Sequence, residues 1–149
     1  MSHKIIILEN IRSLHNVGSI LRTADGAGFD KVILGGYTGC PPDRRIEKVS
    51  LGAENFLDWE KQEDLEAYLK TIKKEGYKIL GLEQTSLSQD LFSYETQDEK
   101  IGLVVGNEVD GITPEILQMC DTCLEIPMHG EKGSLNVSIA TGIAMYKLA

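Results

Sequence analysis

The sequence is short of cysteine, of long apolar runs and of positive charge. Its cysteines, Cys40, Cys120 and Cys123, are odd in number and sparse in 149 residues, which excludes the disulfide framework of small secreted domains. Cys120 and Cys123 form a C-x-x-C, a spacing shared by redox pairs and by half of a zinc site. A structural zinc site wants about four ligands, and there is no second pair at suitable spacing. Two small, half-buried thiols are therefore the preferred reading, and no metal is expected. The longest apolar run near the start, Ile5-Ile6-Ile7-Leu8, is far below the ~20 residues that span a bilayer. No basic region and cleavage site flank it, as they would in a signal peptide. The expectation is a cytoplasmic protein with no membrane partner.

Lys and Arg number 15 against 23 Asp and Glu, a formal charge of −8. That balance weighs against a nucleic-acid binder, whose footprint is usually basic. Net charge describes the whole surface, however, and a local basic patch can survive it.

Linkers, repeats and low-complexity segments are absent too, and the length suits one ordinary domain over 1–149. Apolar β-like runs alternate with amphipathic helical patterns. Lys4 to Leu8 reads as a buried strand, continuous and β-branched. Asn16 is placed to cap a helix from Val17 to about Gly26, with its apolar stripe at Val17, Ile20, Leu21 and Ala24. Val32 to Leu34 is a second strand, broken by Gly35, Gly36, Gly39, Pro41 and Pro42. Leu65, Tyr68, Leu69 and Ile72 mark a helix, with Gly76 just past its end. Strands follow at Tyr77–Leu82, Ile101–Val105 and Cys123–Ile126. Thr113, Pro114 and Glu115 open a short helix between the last two. Ser134 is placed to cap a final helix from about Leu135 to Lys147, apolar or small on nearly every side, which predicts burial. The alternation predicts an α/β fold, a mostly parallel sheet with helices on both faces. Ligands bind such sheets at the carboxyl ends of strands, which directs attention to the loops after Leu82, Val105 and Ile126.

Three segments carry candidate chemistry. In Asn16-Val17-Gly18-Ser19-Ile20-Leu21-Arg22-Thr23-Ala24-Asp25, Arg22 falls off the apolar stripe. It reads either as a solvated helix arginine, which spacing alone favours, or as a phosphate or ribose contact. In Val104-Val105-Gly106-Asn107-Glu108-Val109-Asp110-Gly111-Ile112, a strand ends in a glycine at which backbone can approach a ligand; an ordinary strand-to-helix turn would look the same. The G-x-G-x-x-G of a dinucleotide site is missing. In Ile126-Pro127-Met128-His129-Gly130-Glu131-Lys132-Gly133-Ser134-Leu135-Asn136-Val137-Ser138, a glycine-containing loop feeds a helix. Its amides and Asn136 suit a polar cofactor, and Ile126, Met128 and Leu135 suit an adenine.

In this order, and with Val49-Ser50-Leu51-Gly52-Ala53-Glu54 between the first two, the segments resemble the SpoU family of RNA ribose 2′-O-methyltransferases, within the SPOUT class, over essentially the whole chain. The TrmH-like subgroup is the nearest likeness. The resemblance implies a C-terminal trefoil knot, S-adenosylmethionine held bent within it, and a homodimer whose sites are shared between subunits. It implies Arg22 as the catalytic arginine, oriented with the substrate by Asn16, and polar site positions at Glu108 and Asn136. Gly106, Ile126 and Leu135 match cofactor-contacting positions, with Leu82, Met128 and Ser134 beside them. The substrate implied is tRNA or rRNA and not DNA. Arg22 would act either as base or as a group that positions phosphate and stabilises an alkoxide; a guanidinium stays protonated to above about pH 12, which makes the first role awkward. Family members often carry an added RNA-binding domain, which is not expected here. A basic strip of Arg12, Arg22, Arg44, Arg45 and Lys48, or an accessory protein, would then recruit RNA. The rival reading is a catalytically retired knot-fold module that binds RNA or the ribosome.

Overall fold

The computed structural model describes residues 3–149. Strands and helices alternate as β1 (His3–Glu9), α1 (Leu14–Ala27), β2 (Lys31–Gly35), α2 (Arg44–Ser50), β3 (Asp58–Gln62), α3 (Leu65–Lys74), β4 (Lys78–Leu82), β5 (Gln89–Asp90), β6 (Lys100–Val105), α4 (Pro114–Leu117), β7 (Thr122–Glu125) and α5 (Val137–Leu148). The strands form one seven-stranded sheet in the order β3-β2-β1-β6-β4-β7-β5. Every pairing is parallel.

The pleat of β1 shows why both faces are covered. Ile6 and Leu8 point into one core with Val17, Ile20, Leu21 and Ala24 of α1, Ile46 of α2, and Ala144, Met145 and Leu148 of α5. Ile5 and Ile7 point into the other, with Leu65, Leu69 and Ile72 of α3 and Ile116 of α4. An alternating strand that is apolar on both sides needs a helix on each. The expected α/β sheet with helices on both faces is thus the observed one. No helix among the described residues is long and apolar enough to cross a membrane.

Four local readings need correction. The α1 cap is Ser13, whose side chain accepts from the Asn16 amide at 3.1 Å, and the helix starts at Leu14. Asn16 lies inside the first turn, its side chain engaged elsewhere. The α5 cap is Asn136, which accepts from Ser138 N and Ile139 N, so the helix starts at Val137 and Ser134 remains in the loop. Burial of α5 is one-sided: Ser138, Thr141, Ala144, Met145 and Leu148 are buried, while Ile139 is 55% and Tyr146 59% exposed. Finally, β3, β5 and α2 were not anticipated. β3 is Asp-Trp-Glu-Lys-Gln at one sheet edge and β5 has two residues at the other, so neither offers an apolar run. Gly76 does follow α3 with the expected left-handed backbone, φ 96°.

The α1–α2 contact requires a glycine. A Cβ on Gly18 would lie 2.5 Å from the Ile46 carbonyl oxygen and 3.0 Å from the Val49 Cβ. Gly18→Ala is therefore expected to lower the unfolding free energy by about 1–3 kcal/mol, the usual cost of overpacking, despite alanine's better helix propensity. Urea denaturation checks this; a stabilised variant would show that α2 yields freely.

Candidate active site

The carboxyl ends of β4, β6 and β7 lie side by side, and the loops that leave them frame a cleft of about 160 Å³ that opens to solvent. Its apolar floor includes Leu82, Leu124, Ile126 and Met128; Ser134 and Leu135 come from the loop above, and Val137 and Ala140 from the start of α5. Between Pro127 and Leu135 the backbone makes no backbone hydrogen bond among the described residues. One of its carbonyls, Gly133 O, accepts from the Gln84 side chain at 3.0 Å. Apolar walls beside unpaired peptide donors and acceptors suit a ligand with a flat heteroaromatic face and a polar edge. The residues present therefore fit an adenosine-bearing cofactor.

Leu82, Gly106, Ile126, Met128, Ser134 and Leu135 all line this cleft, as does Glu108. The reason given for Gly106 changes, however. A Cβ there would meet the backbone of Gly111 and Ile112 at 2.3 Å. The glycine is required because the chain folds back on itself: Asn107 and Gly111 exchange backbone hydrogen bonds of 3.2 and 2.9 Å.

That tight loop aims Glu108 at the start of α1. Its carboxylate accepts from Arg12 N and Ser13 N, each at 2.9 Å, and from Asn16 Nδ2 at 3.0 Å. Asn16 Oδ1 accepts in turn from Asn136 Nδ2 at 3.4 Å, while Asn136 Oδ1 caps α5. The three sequence segments thus meet in one hydrogen-bonded line, Glu108–Asn16–Asn136, of which Glu108 lines the cleft and Asn16 and Asn136 do not. Partial burial pushes the Glu108 carboxyl up. The amide donors of Arg12, Ser13 and Glu108 itself, with the Asn16 side chain, outweigh that and hold it below its ordinary value. With its oxygens already occupied, Glu108 positions its neighbours and is a poor proton acceptor.

Arg22 is elsewhere. It is exposed, and it lines a separate concavity with Ser19, Thr23, Gly26, Val49 and Tyr146. No ion pair or hydrogen bond engages its side chain among the described residues. Sequence reasoning passed over Glu83 and Gln84, which line the cleft directly after β4. The strand-end rule pointed to that loop without naming them. It also passed over Asn107, whose Oδ1 accepts from Val109 N and Asp110 N at 2.9 and 3.0 Å and shapes the loop. Cys120 is mostly buried, with its thiol pushed up to about 12 first by desolvation, as befits an inert core thiol. No group of His, Cys, Asp and Glu suited to a metal ion occurs among the described residues.

Fold and cleft together define a parallel α/β protein whose candidate site is built from strand-end loops and the start of the last helix. The chain belongs to the SpoU rRNA Methylase family, whose family model matches residues 3–146. It is 32% identical to the tRNA (guanosine(18)-2'-O)-methyltransferase TARBP1 of Mus musculus, over 99% of this chain and 9% of that one. It is 32% identical to the 23S rRNA (guanosine-2'-O-)-methyltransferase RlmB of Xanthomonas axonopodis, over 96% of this chain and 57% of the relative. Its fold is similar to that of the AdoMet-bound rRNA methyltransferase of Sinorhizobium meliloti, with a TM-score of 0.91 and 26% identity over 97% of this chain and 55% of that one. The chain thus spans less than two thirds of these relatives.

Glu108→Gln tests the junction. A group with a depressed folded-state pKa stabilises above its unfolded value, about 4.3 for Glu, and that contribution is lost as pH falls through the folded value. The variant should lose about 1 kcal/mol near pH 7, a modest figure because the carboxylate is partly solvated. The deficit should vanish on acidification below pH ~4. Denaturant melts across pH measure it; a deficit unchanged at acid pH would remove the charge from the argument.

Proposed function

We propose that this chain is an S-adenosylmethionine-dependent methyltransferase acting on a ribose 2′-hydroxyl of tRNA or rRNA, in the cytoplasm and as a homodimer. The observation that carries the reading is the Glu108–Asn16–Asn136 line, which joins all three segments beside a cleft whose apolar floor and free loop amides suit adenosine. Leu82, Ile126, Met128 and Leu135 would hold the adenine, with Gly106 and Ser134 offering backbone beside it. When bound, S-adenosylmethionine supplies a methyl group made electrophilic by its sulfonium.

This chain's own contribution is alignment and charge. Glu108 holds the buried Asn16, and Asn16 holds the exposed Asn136 between the cleft-lining Leu135 and Val137, where Asn136 would help orient a ribose hydroxyl before attack. Arg22 would bind the adjoining phosphate and stabilise charge developing on that hydroxyl oxygen. Within one chain Arg22 faces a different concavity, so the complete site draws it from a second copy. The exposed side of α5 supports that dimer: Ile139 and Tyr146 stand seven positions apart on one stripe, with half-buried Ile143 between them. We further take the C-terminal segment from Ile126 onward to be the threaded part of a trefoil knot. RNA would be recruited by the exposed Arg12, Arg22, Arg44 and Lys48 of the α1–α2 side, or by an accessory protein.

The decisive experiment is incubation with labelled S-adenosylmethionine and total RNA, followed by mapping of the labelled nucleotide. Absence of label in RNA, with S-adenosylhomocysteine binding retained, would favour the retired-module alternative. Arg22→Ala should leave stability within about 0.5 kcal/mol and cofactor affinity unchanged, while methyl transfer collapses. Rescue by Arg22→Lys would indicate charge alone, and no rescue the planar guanidinium geometry. Tyr146→Glu should convert the dimer to monomer by light scattering and lose transfer with it; an active monomer would sink the shared-site reading.

A further inference from the structure

The exposed aromatic side chains include Tyr37, Phe56, Phe92 and Tyr146. Among them Tyr37 alone is hydrogen-bonded to a residue lining the cleft: its phenol oxygen accepts from Asn107 Nδ2 at 2.7 Å. Tyr37 is 59% exposed, yet it is held from several directions. Its amide donates to Asn10 Oδ1 at 3.0 Å, and Asn107 Nδ2 also donates to the Asn10 carbonyl at 2.8 Å. The turn before it is fixed by Gly36, φ 61°, where a Cβ would fall 1.9 Å from Asn10 Oδ1. The residue after it, Thr38, is fully buried and accepts from Ile11 N at 3.0 Å. An exposed ring with its polar tip tied down is a preorganised flat surface; it has little conformational freedom left to lose on binding.

A cation is tethered to the same corner through shared partners. Arg12 adjoins Ile11, which bonds Thr38, and its own amide is held by Glu108, the residue after Asn107. The Arg12 backbone and the Tyr37 ring are thus bonded to the consecutive residues Glu108 and Asn107 at one corner of the cleft, and the Arg12 side chain is exposed. A fixed aromatic face beside a free guanidinium matches the two repeating features of a single-stranded nucleic acid, a stackable base and a phosphate. In a chain of net charge −8, a local pairing of this kind gives RNA a foothold that the average surface does not.

We infer that Tyr37 is the stacking platform for an unpaired base of the RNA substrate, adjacent to the nucleotide whose ribose enters the cleft, with Arg12 holding the intervening phosphate. This inference rests on the RNA methyltransferase reading. Tyr37 is a positioning residue for the substrate, and it takes no part in cofactor binding or methyl transfer.

The test uses the full chain and a single-stranded oligoribonucleotide containing 2-aminopurine, whose fluorescence falls on stacking. Calorimetry with S-adenosylhomocysteine is run in parallel. Tyr37→Ala and Tyr37→Leu should raise the oligonucleotide Kd by about 5- to 100-fold, the range for losing one base–aromatic stack, and abolish the quench. Both should raise KM for RNA more than they lower kcat. Tyr37→Phe, which keeps the ring, should restore stacking. S-adenosylhomocysteine affinity should stay within about twofold throughout. Equal RNA affinity for parent and Tyr37→Ala would overturn the inference, as would Tyr37→Leu matching Tyr37→Phe. A parallel loss of S-adenosylhomocysteine affinity in the Ala and Leu variants would also overturn it, since the ring would then merely prop the Asn107 loop. A parent protein that binds S-adenosylhomocysteine but neither binds nor labels RNA would instead bring down the underlying reading, and the platform with it.

Discussion

The cleft depends on one carboxylate at one helix end. The N-terminus of α1 carries no acidic residue in its own first turn, so its unpaired amides and positive dipole end lack a local anion. Glu108 supplies that anion from a strand-end loop 95 positions away from Ser13. Because it accepts from Arg12, Ser13 and Asn16 together, it fixes the entry to α1 and the orientation of the Asn16 amide at once. Without it, the loop after β6 and the start of α1 would each have a preferred conformation but no shared register.

From that anchor the rest of the site follows by short steps. Asn16 hands the constraint to Asn136, and Asn136 caps α5, so the first residues of the last helix are placed against the cleft. The tight Asn107–Gly111 loop is what aims Glu108. It closes only because Gly106 carries no side chain and Asn107 spends its own on local backbone amides. Polar positions identified as catalytic by resemblance therefore divide into two kinds. Glu108 and the buried Asn16 are consumed in holding their neighbours, whereas Asn136, at the end of the line, is exposed. Arg22, which no described residue of its own chain engages, is the position for which the proposed reaction calls on a second subunit.

The acidic composition and the proposed RNA substrate are reconciled by where the arginines lie. Arg12, Arg22, Arg44 and Arg45 all belong to the α1–α2 side, and of these Arg45 is committed to Asp43 at 3.1 Å. The remaining exposed guanidiniums face solvent beside helices that pack through a glycine. Acidic residues elsewhere can set the net charge without cancelling a patch of this size, because screening confines their influence to about 10 Å in ordinary salt.

Much was legible in the sequence by itself. The alternation of β-branched runs with amphipathic stripes determined the α/β class and the major elements, since burial on both faces forces continuous apolar strands. The strand-end rule and the three segments pointed to the loops that frame the cleft, and Leu82, Gly106, Ile126, Met128, Ser134 and Leu135 line it, whereas Asn136 does not. What only the tertiary structure decided is what depends on distant partners. Ser13 and Asn136 cap their helices in place of Asn16 and Ser134 because Asn16 is drawn to Glu108, and because Asn136 can reach Ser138 N and Ile139 N at once. β3 and β5 exist because a parallel sheet pairs its edges through backbone, which needs no apolar pattern. Gly106 is a glycine for the sake of its own chain, and Arg22 and the cleft stand apart within one subunit. Local spacing carries no information about such contacts, because the groups that make them are neighbours only after the sheet has assembled.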